Sequence, residues 1–182
     1  MIDKRQIEKV LTAIYDLSKD VVSPSDYRLV GTAAAVMHGF DLPVGDIDIL
    51  LRLRQGVDAF FNSLSAFECL TSPQYLEGSM QYFAAVNVHG IKVEFSTVEF
   101  ACDLTTKECI GSGPWEHYAM INCGQRSIPV VALELRLLTE LFRQRVDRYQ
   151  PIWQFMQRKG YNKPLLEKGL IEQNLTLKSC SY

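Results

Sequence analysis

At 182 residues the chain suits one domain, with room for a small appended subdomain, and it is long enough to fold around a core without covalent staples. Hydrophobic residues make up 47% and charged residues 22%, an ordinary globular balance, and a net charge of -2 excludes a global basic field that would draw the chain to nucleic acid or a membrane. An anionic substrate must then be met by local charges or by a metal.

The start, Met-Ile-Asp-Lys-Arg-Gln-Ile-Glu, is charged within three residues and holds no apolar signal-peptide core, and no run reaches the roughly 20 apolar residues that span a bilayer. A soluble cytoplasmic protein is expected, without a membrane partner. Residues 3 to 18 carry Ile7, Val10, Leu11, Ile14 and Leu17 at spacings of three and four, the pattern of an amphipathic helix, closed by the polar stretch around Pro24. Tyr27 to Val30 reads as a short strand, broken by Gly31, and Thr32 to His38 as a short helix closed by Gly39. Asp46-Ile-Asp-Ile-Leu-Leu alternates as a strand, and Val57 to Phe67 is a second amphipathic helix. Residues 80 to 88 and 91 to 100 read as two strands joined at His89-Gly90, the short link of a β-hairpin. Residues 101 to 127, with Gly111, Gly113, Pro114 and Gly124, read as an irregular excursion holding at most one short strand. After Pro129 the pattern becomes helical, first over Leu133 to Phe142, then around Trp153 to Arg158 and Leu165 to Leu177. The expected organisation is a mixed α/β core over 1–128 and a C-terminal helical segment over 129–182. The five cysteines, Cys69, Cys102, Cys109, Cys123 and Cys180, are scattered and odd in number, and read as reduced thiols of a cytosolic protein.

Chemistry concentrates between Leu29 and Leu51. Alternate side chains of a strand share a face, so Asp46 and Asp48 project together while Ile47 and Ile49 turn to the core. Two adjacent carboxylates repel, and a divalent cation with a preference for hard oxygen ligands, Mg²⁺ or Mn²⁺, resolves the repulsion. Gly31-Thr32 falls at a strand-to-helix junction, where backbone N–H groups and the threonine hydroxyl suit a phosphate. In Ile91-Lys-Val-Glu-Phe-Ser, Glu94 lies on the polar face of a strand and supplies a third carboxylate for a one-metal or two-metal site acting at phosphorus.

Gly-Thr, then Asp-Ile-Asp, then a later strand carboxylate resembles the nucleotidyltransferase (DNA polymerase β-like) superfamily. Its minimal prokaryotic members, the AbiEii-type toxin and the aminoglycoside or lincosamide nucleotidyltransferases, are the most similar. The resemblance covers roughly residues 27 to 100. It implies an α/β (α+β) nucleotidyltransferase fold, with a small mixed sheet flanked by helices and a C-terminal helical piece. The motif serine is Thr32 here, the third carboxylate is Glu94 where aspartate is commoner, and the basic residue usual on the first C-terminal helix falls on Arg136, Arg143 or Arg145. The implied activity is transfer of a nucleoside monophosphate from a nucleoside triphosphate to a hydroxyl acceptor, with release of pyrophosphate. Asp46 and Asp48 would hold the metal, and Glu94 would hold a second metal or act as general base. Gly31 and Thr32 would hold phosphates, with Arg136 and Arg143 as further phosphate contacts.

Blander readings stand beside these. Asp-Ile-Asp alone could be a solvated strand end, Thr32 an N-cap, and Glu94 a surface partner of Lys92; Glu99 is the fallback third acid. The Arg136, Arg143, Arg145, Arg148 series fits a solvated helix face as well as a phosphate clamp. His38 reads as a helix C-terminal residue, and Trp153 and Phe155 as core or subunit contacts. The acceptor could be a small-molecule hydroxyl, a protein side chain or an RNA end, and the acidic balance argues against extended nucleic acid. The rival from another class is a non-catalytic nucleotide-binding or toxin–antitoxin partner protein with the same fold, with a protein partner or a homo-oligomer left open.

Overall fold

The computed structural model describes residues 2–100 and 107–177. Helix α1 (Lys4–Ser18) opens with a reciprocal cap: the Asp3 carboxylate accepts from the Gln6 amide at 2.8 Å, and the Gln6 side chain accepts from the Asp3 amide at 2.9 Å. It buries Ile7, Val10, Leu11 and Ile14, whereas Leu17, expected on the same stripe, is exposed at the last turn. Then come β1 (Tyr27–Val30), α2 (Gly31–Met37), β2 (Ile47–Leu51), α3 (Arg54–Ser63), β3 (Glu68–Leu76), β4 (Gln81–Val88) and β5 (Ile91–Ser96). A 3₁₀ turn at Lys107–Cys109 leads to α4 (Gly113–Glu116), β6 (Tyr118–Cys123) and β7 (Arg126–Val131), and the chain closes with α5 (Leu133–Phe142), α6 (Val146–Lys159) and α7 (Lys163–Glu172).

Among the described residues the strands form one seven-stranded mixed sheet in the order β3-β4-β5-β2-β1-β7-β6. The β4–β5 hairpin closes at His89-Gly90 as the sequence predicts, and both residues take positive φ (55° and 83°), the twist that suits a two-residue hairpin turn. On one sheet face Phe60 of α3 stacks on Phe95 at 5.1 Å and meets the Tyr27 ring edge-on at 5.4 Å. Full burial of a side chain such as Phe60 contributes roughly 1.5–3 kcal/mol. The polar residues of β2 and β5 point to the other face, while α2 packs on β1 and β2, and α5 packs on α2 and the 3₁₀ turn.

Several elements depart from expectation. Strand β3 went unseen: it is an edge strand, mostly exposed, interrupted by register shifts and carrying Pro73, so it offers no alternating core pattern. Residues 118–131 are not irregular but a hairpin, β6–β7, turning at Gly124 with positive φ, and β7 runs through Pro129 to pair in parallel with β1. Helix α3 starts at Arg54 rather than Val57 and ends at Ser63 rather than Phe67. Its N-cap, Leu53, makes no side-chain cap bond, and a tight turn from Phe67 to Leu64 feeds β3. Helix α5 is enclosed on nearly all sides, with Glu134, Arg136, Thr139 and Glu140 buried, so Arg136 does not belong to a solvated face. Of the cysteines, Cys69, Cys109 and Cys123 are in no disulfide, while Cys102 and Cys180 lie outside the described residues. Among the described residues no helix is long and apolar enough to cross a membrane.

Arg28 ties the 3₁₀–α4 segment to the sheet. Only 2% exposed, it donates from Nε to the Pro114 carbonyl (2.8 Å) and from Nη1 to the Pro24 carbonyl (2.8 Å), and its guanidinium lies 3.8 Å from the centre of the Tyr118 ring. Replacing Arg28 by Met would leave buried carbonyls without donors. The expected loss is about 2–3 kcal/mol, read as a lower urea midpoint with an unchanged slope.

Candidate metal and nucleotide site

Strand register assembles the acids. Strands β2 and β5 pair in parallel with Asp48 opposite Glu94 and Ile47 opposite Val93, so the Asp48 and Glu94 side chains leave the sheet on the same face. Asp46, two residues before Asp48, shares that face. The loop ahead of it is held by Val44, which is buried and accepts from the Ile2 amide at 3.2 Å. Asp46, Asp48 and Glu94 each offer an oxygen, all within 4.8 Å of one another. Burial, with Asp46, Glu94 and Glu108 close by, pushes the Asp48 carboxyl well above the usual carboxylate range. Three hard oxygens with unbalanced charge fit a divalent cation of the Mg²⁺ or Mn²⁺ type. Lys92, on the Glu94 face of β5, reaches Glu94 Oε1 at 2.6 Å and Asp46 Oδ2 at 3.1 Å. The fallback acid Glu99 is engaged elsewhere, held by Arg54 through two bonds of 2.6 Å.

Gly31 is fixed by Asp48. Its φ is +69°, and a Cβ there would stand 2.1 Å from Asp48 Oδ2, so this position needs glycine both for its backbone and for the carboxylate packed over it. The residue read from sequence as a phosphate approach thus also makes room for a metal-ligand candidate.

The acids open into a cleft of about 420 Å³ that is also lined by Arg136, Arg143, Arg145 and Arg148. Arg148 donates to Thr32 Oγ1 at 3.0 Å. Partial burial lowers the pKa of both Arg143 and Arg148, and neighbouring guanidiniums lower each further: Arg136 and Arg145 act on both. A cluster of cations that repel one another is a ready seat for an anion. Arg136 is already engaged: it bonds Glu108 at 2.8 Å and makes a close ion pair with Glu140, both buried. Apart from the acids and the arginines the cleft is lined by uncharged residues, among them Gln81, Phe83 and Ser96.

Glu108 is the residue that sequence reasoning missed. In the 3₁₀ turn and 1% exposed, it accepts from the Gly31 amide at 3.0 Å and from Arg136, while its backbone N–H donates to Thr139 Oγ1 at 2.8 Å. A protein carboxylate therefore takes the Gly31 N–H that the sequence offered to a phosphate. A glutamate in a glycine-rich irregular stretch gives no local signal of this. His38 caps α2 as expected, its Nε2 lying 2.8 Å from the Val131 carbonyl oxygen, and Phe155 packs on Phe40 at 4.5 Å.

No sequence-family model matches this chain, and no curated protein matches it in sequence. Among solved structures it is similar to a protein from Thermotoga maritima provisionally described as a nucleotidyltransferase, with a TM-score of 0.62 at 20% identity over 87% of this chain and 97% of that one. It is also similar to an antigenic nucleotidyltransferase-like protein from Paracoccidioides brasiliensis, at TM-score 0.49 and 13% identity, over 90% of this chain and 86% of that one. The fold is that of the nucleotidyltransferases, a mixed seven-stranded sheet flanked by helices. On it sits an acidic triad that could hold a divalent metal.

Gly31→Ala tests the packing of this centre. Left-handed backbone costs a non-glycine residue about 1–2 kcal/mol, and the new methyl must displace Asp48. The expected outcome is a folded protein with a lower Tm and at least tenfold weaker Mn²⁺ binding by calorimetry. Unchanged Mn²⁺ affinity would mean that Asp48 is not a ligand.

Proposed function

We propose that this cleft transfers a nucleoside monophosphate from a nucleoside triphosphate to a hydroxyl acceptor, releasing pyrophosphate. One observation carries the reading: the Asp46–Asp48–Glu94 cluster and the Arg143, Arg145 and Arg148 side chains face the same cleft. Charges of opposite sign lining one cleft match a metal-bound triphosphate, whose cation and phosphates each need a counter-charge. A Mg²⁺ or Mn²⁺ held by Asp46, Asp48 and Glu94 would withdraw charge from the phosphates and ease attack at phosphorus.

The chain's own residues account for the remaining steps. Arg143, Arg145 and Arg148 bind the β- and γ-phosphates and orient the α-phosphorus. The Thr32 hydroxyl accepts from Arg148 and keeps its own proton to donate to a phosphate oxygen. Glu94 either completes the metal's ligands or takes the proton of the acceptor hydroxyl. The acceptor oxygen then bonds to the α-phosphorus, the bond to the bridging oxygen breaks, and pyrophosphate leaves with that electron pair. A cytoplasmic location, where nucleoside triphosphates are abundant, fits this reading.

The Glu108 carboxylate on the Gly31 amide favours a second reading, a nucleotide-binding or toxin–antitoxin partner protein that keeps the fold without turnover. Thermal shift with each of the four nucleoside triphosphates, with and without Mg²⁺, separates the two when followed by pyrophosphate release over an acceptor screen. At saturation at least one triphosphate should raise Tm by about 5–10 °C only with Mg²⁺, an effect lost in Asp46→Asn/Asp48→Asn. Stabilisation without turnover for any acceptor would support the second reading, and no stabilisation by any triphosphate would sink both. In chelator at neutral pH, Asp48→Asn alone should raise Tm by a few degrees, because the enclosed acidic cluster disfavours the ionised carboxylate that the unfolded chain prefers and asparagine lifts that cost.

A further inference from the structure

The sequence leaves open whether the triad holds one metal or two, and Lys92 bears on that choice. Its ammonium is not a bystander on the rim: it lies 2.6 Å from Glu94 Oε1 and 3.1 Å from Asp46 Oδ2, bridging two of the three acids. The bridge follows from register. Ile47 opposes Val93, which sets Asp46 beside Lys92 in the same way that Asp48 is set beside Glu94. The four side chains form a square on one sheet face, three corners negative and one positive.

Two consequences follow from that square. Charge comes first: with all three carboxylates ionised, as metal binding requires, they and one ammonium leave a net charge of -2, which one divalent cation balances and two would overshoot. Ligand supply comes second. A hard divalent ion gathers several oxygens, and with one oxygen of Glu94 and one of Asp46 committed to Lys92, the triad retains few anionic oxygens for a second ion.

We propose that Lys92 is a built-in cation of this site, standing between Asp46 and Glu94 and supplying the positive charge a second metal would otherwise supply, so that the triad takes one divalent ion. The proposal rests on the reading of the triad as a metal site. It assigns Glu94 the proton-accepting role: one oxygen is held by Lys92, and the other is left to receive the acceptor's proton. Lys92 acts through Glu94 and Asp46 and is a positioning residue.

The test is a Mn²⁺ titration of the full chain, free ion followed by electron paramagnetic resonance, on wild type, Lys92→Met, Lys92→Arg and Asp48→Asn. Lys92 is substantially exposed, so its replacement leaves the core intact. Wild type and Lys92→Arg should each bind one Mn²⁺ per chain, Lys92→Met two, and Asp48→Asn should bind the ion at least tenfold more weakly. Two ions in wild type, or a single ion in Lys92→Met, would overturn the role of Lys92 while leaving the metal site standing. No Mn²⁺ bound by wild type or Lys92→Met would overturn the metal site itself, and this proposal with it.

Discussion

Three carboxylates gathered within 4.8 Å on one sheet face repel one another, and much of the surrounding structure answers that repulsion. The gathering is enforced by the backbone: once β2 and β5 pair in parallel with Asp48 opposite Glu94, no side-chain rotamer carries the acids to different faces. Lys92 meets part of the charge from the neighbouring register position, and Gly31, by lacking a Cβ, leaves room for Asp48. The fold thus holds a site that is electrostatically unfinished, a condition a bound cation relieves.

The second constraint is the buried chain Glu108–Arg136–Glu140. Burying ions is costly unless they are paired, and here one guanidinium serves two carboxylates from the 3₁₀ turn and α5. The pairing docks the 3₁₀ turn onto α5, and the α5–α6 region that follows carries Arg143, Arg145 and Arg148 to the cleft. Removing Arg136 would leave two uncompensated buried carboxylates, so this network belongs to the architecture as much as to the site. The same carboxylate of Glu108 also occupies the Gly31 amide, so under the proposed function the phosphates would fall to the arginines of the α5–α6 region and to Thr32.

The acids and the elements that carry them were legible in the sequence because period-2 alternation fixes faces without tertiary knowledge: Ile47, Ile49, Val93 and Phe95 inward, Asp48 and Glu94 outward. The Gly31 break, the two-residue turn at His89-Gly90 and the amphipathic first helix were legible for equally local reasons. Strand β3 was not, because an exposed, bulged edge strand with a proline carries no burial pattern. The β6–β7 hairpin was hidden by exposed alternate positions on β6 and by Pro129 inside β7. Glu108 and the burial of Arg136 depend on contacts between segments distant in the chain, which no local spacing encodes.

A crystal structure of the full chain with Mn²⁺ and a nucleoside triphosphate analogue carrying a non-cleavable α,β-bridge tests the central claim most directly. The account predicts one anomalous peak ligated by Asp46 and Asp48, with the terminal phosphates against Arg143, Arg145 and Arg148. A metal peak away from the triad, or a nucleotide seated with its phosphates off these arginines, would contradict it.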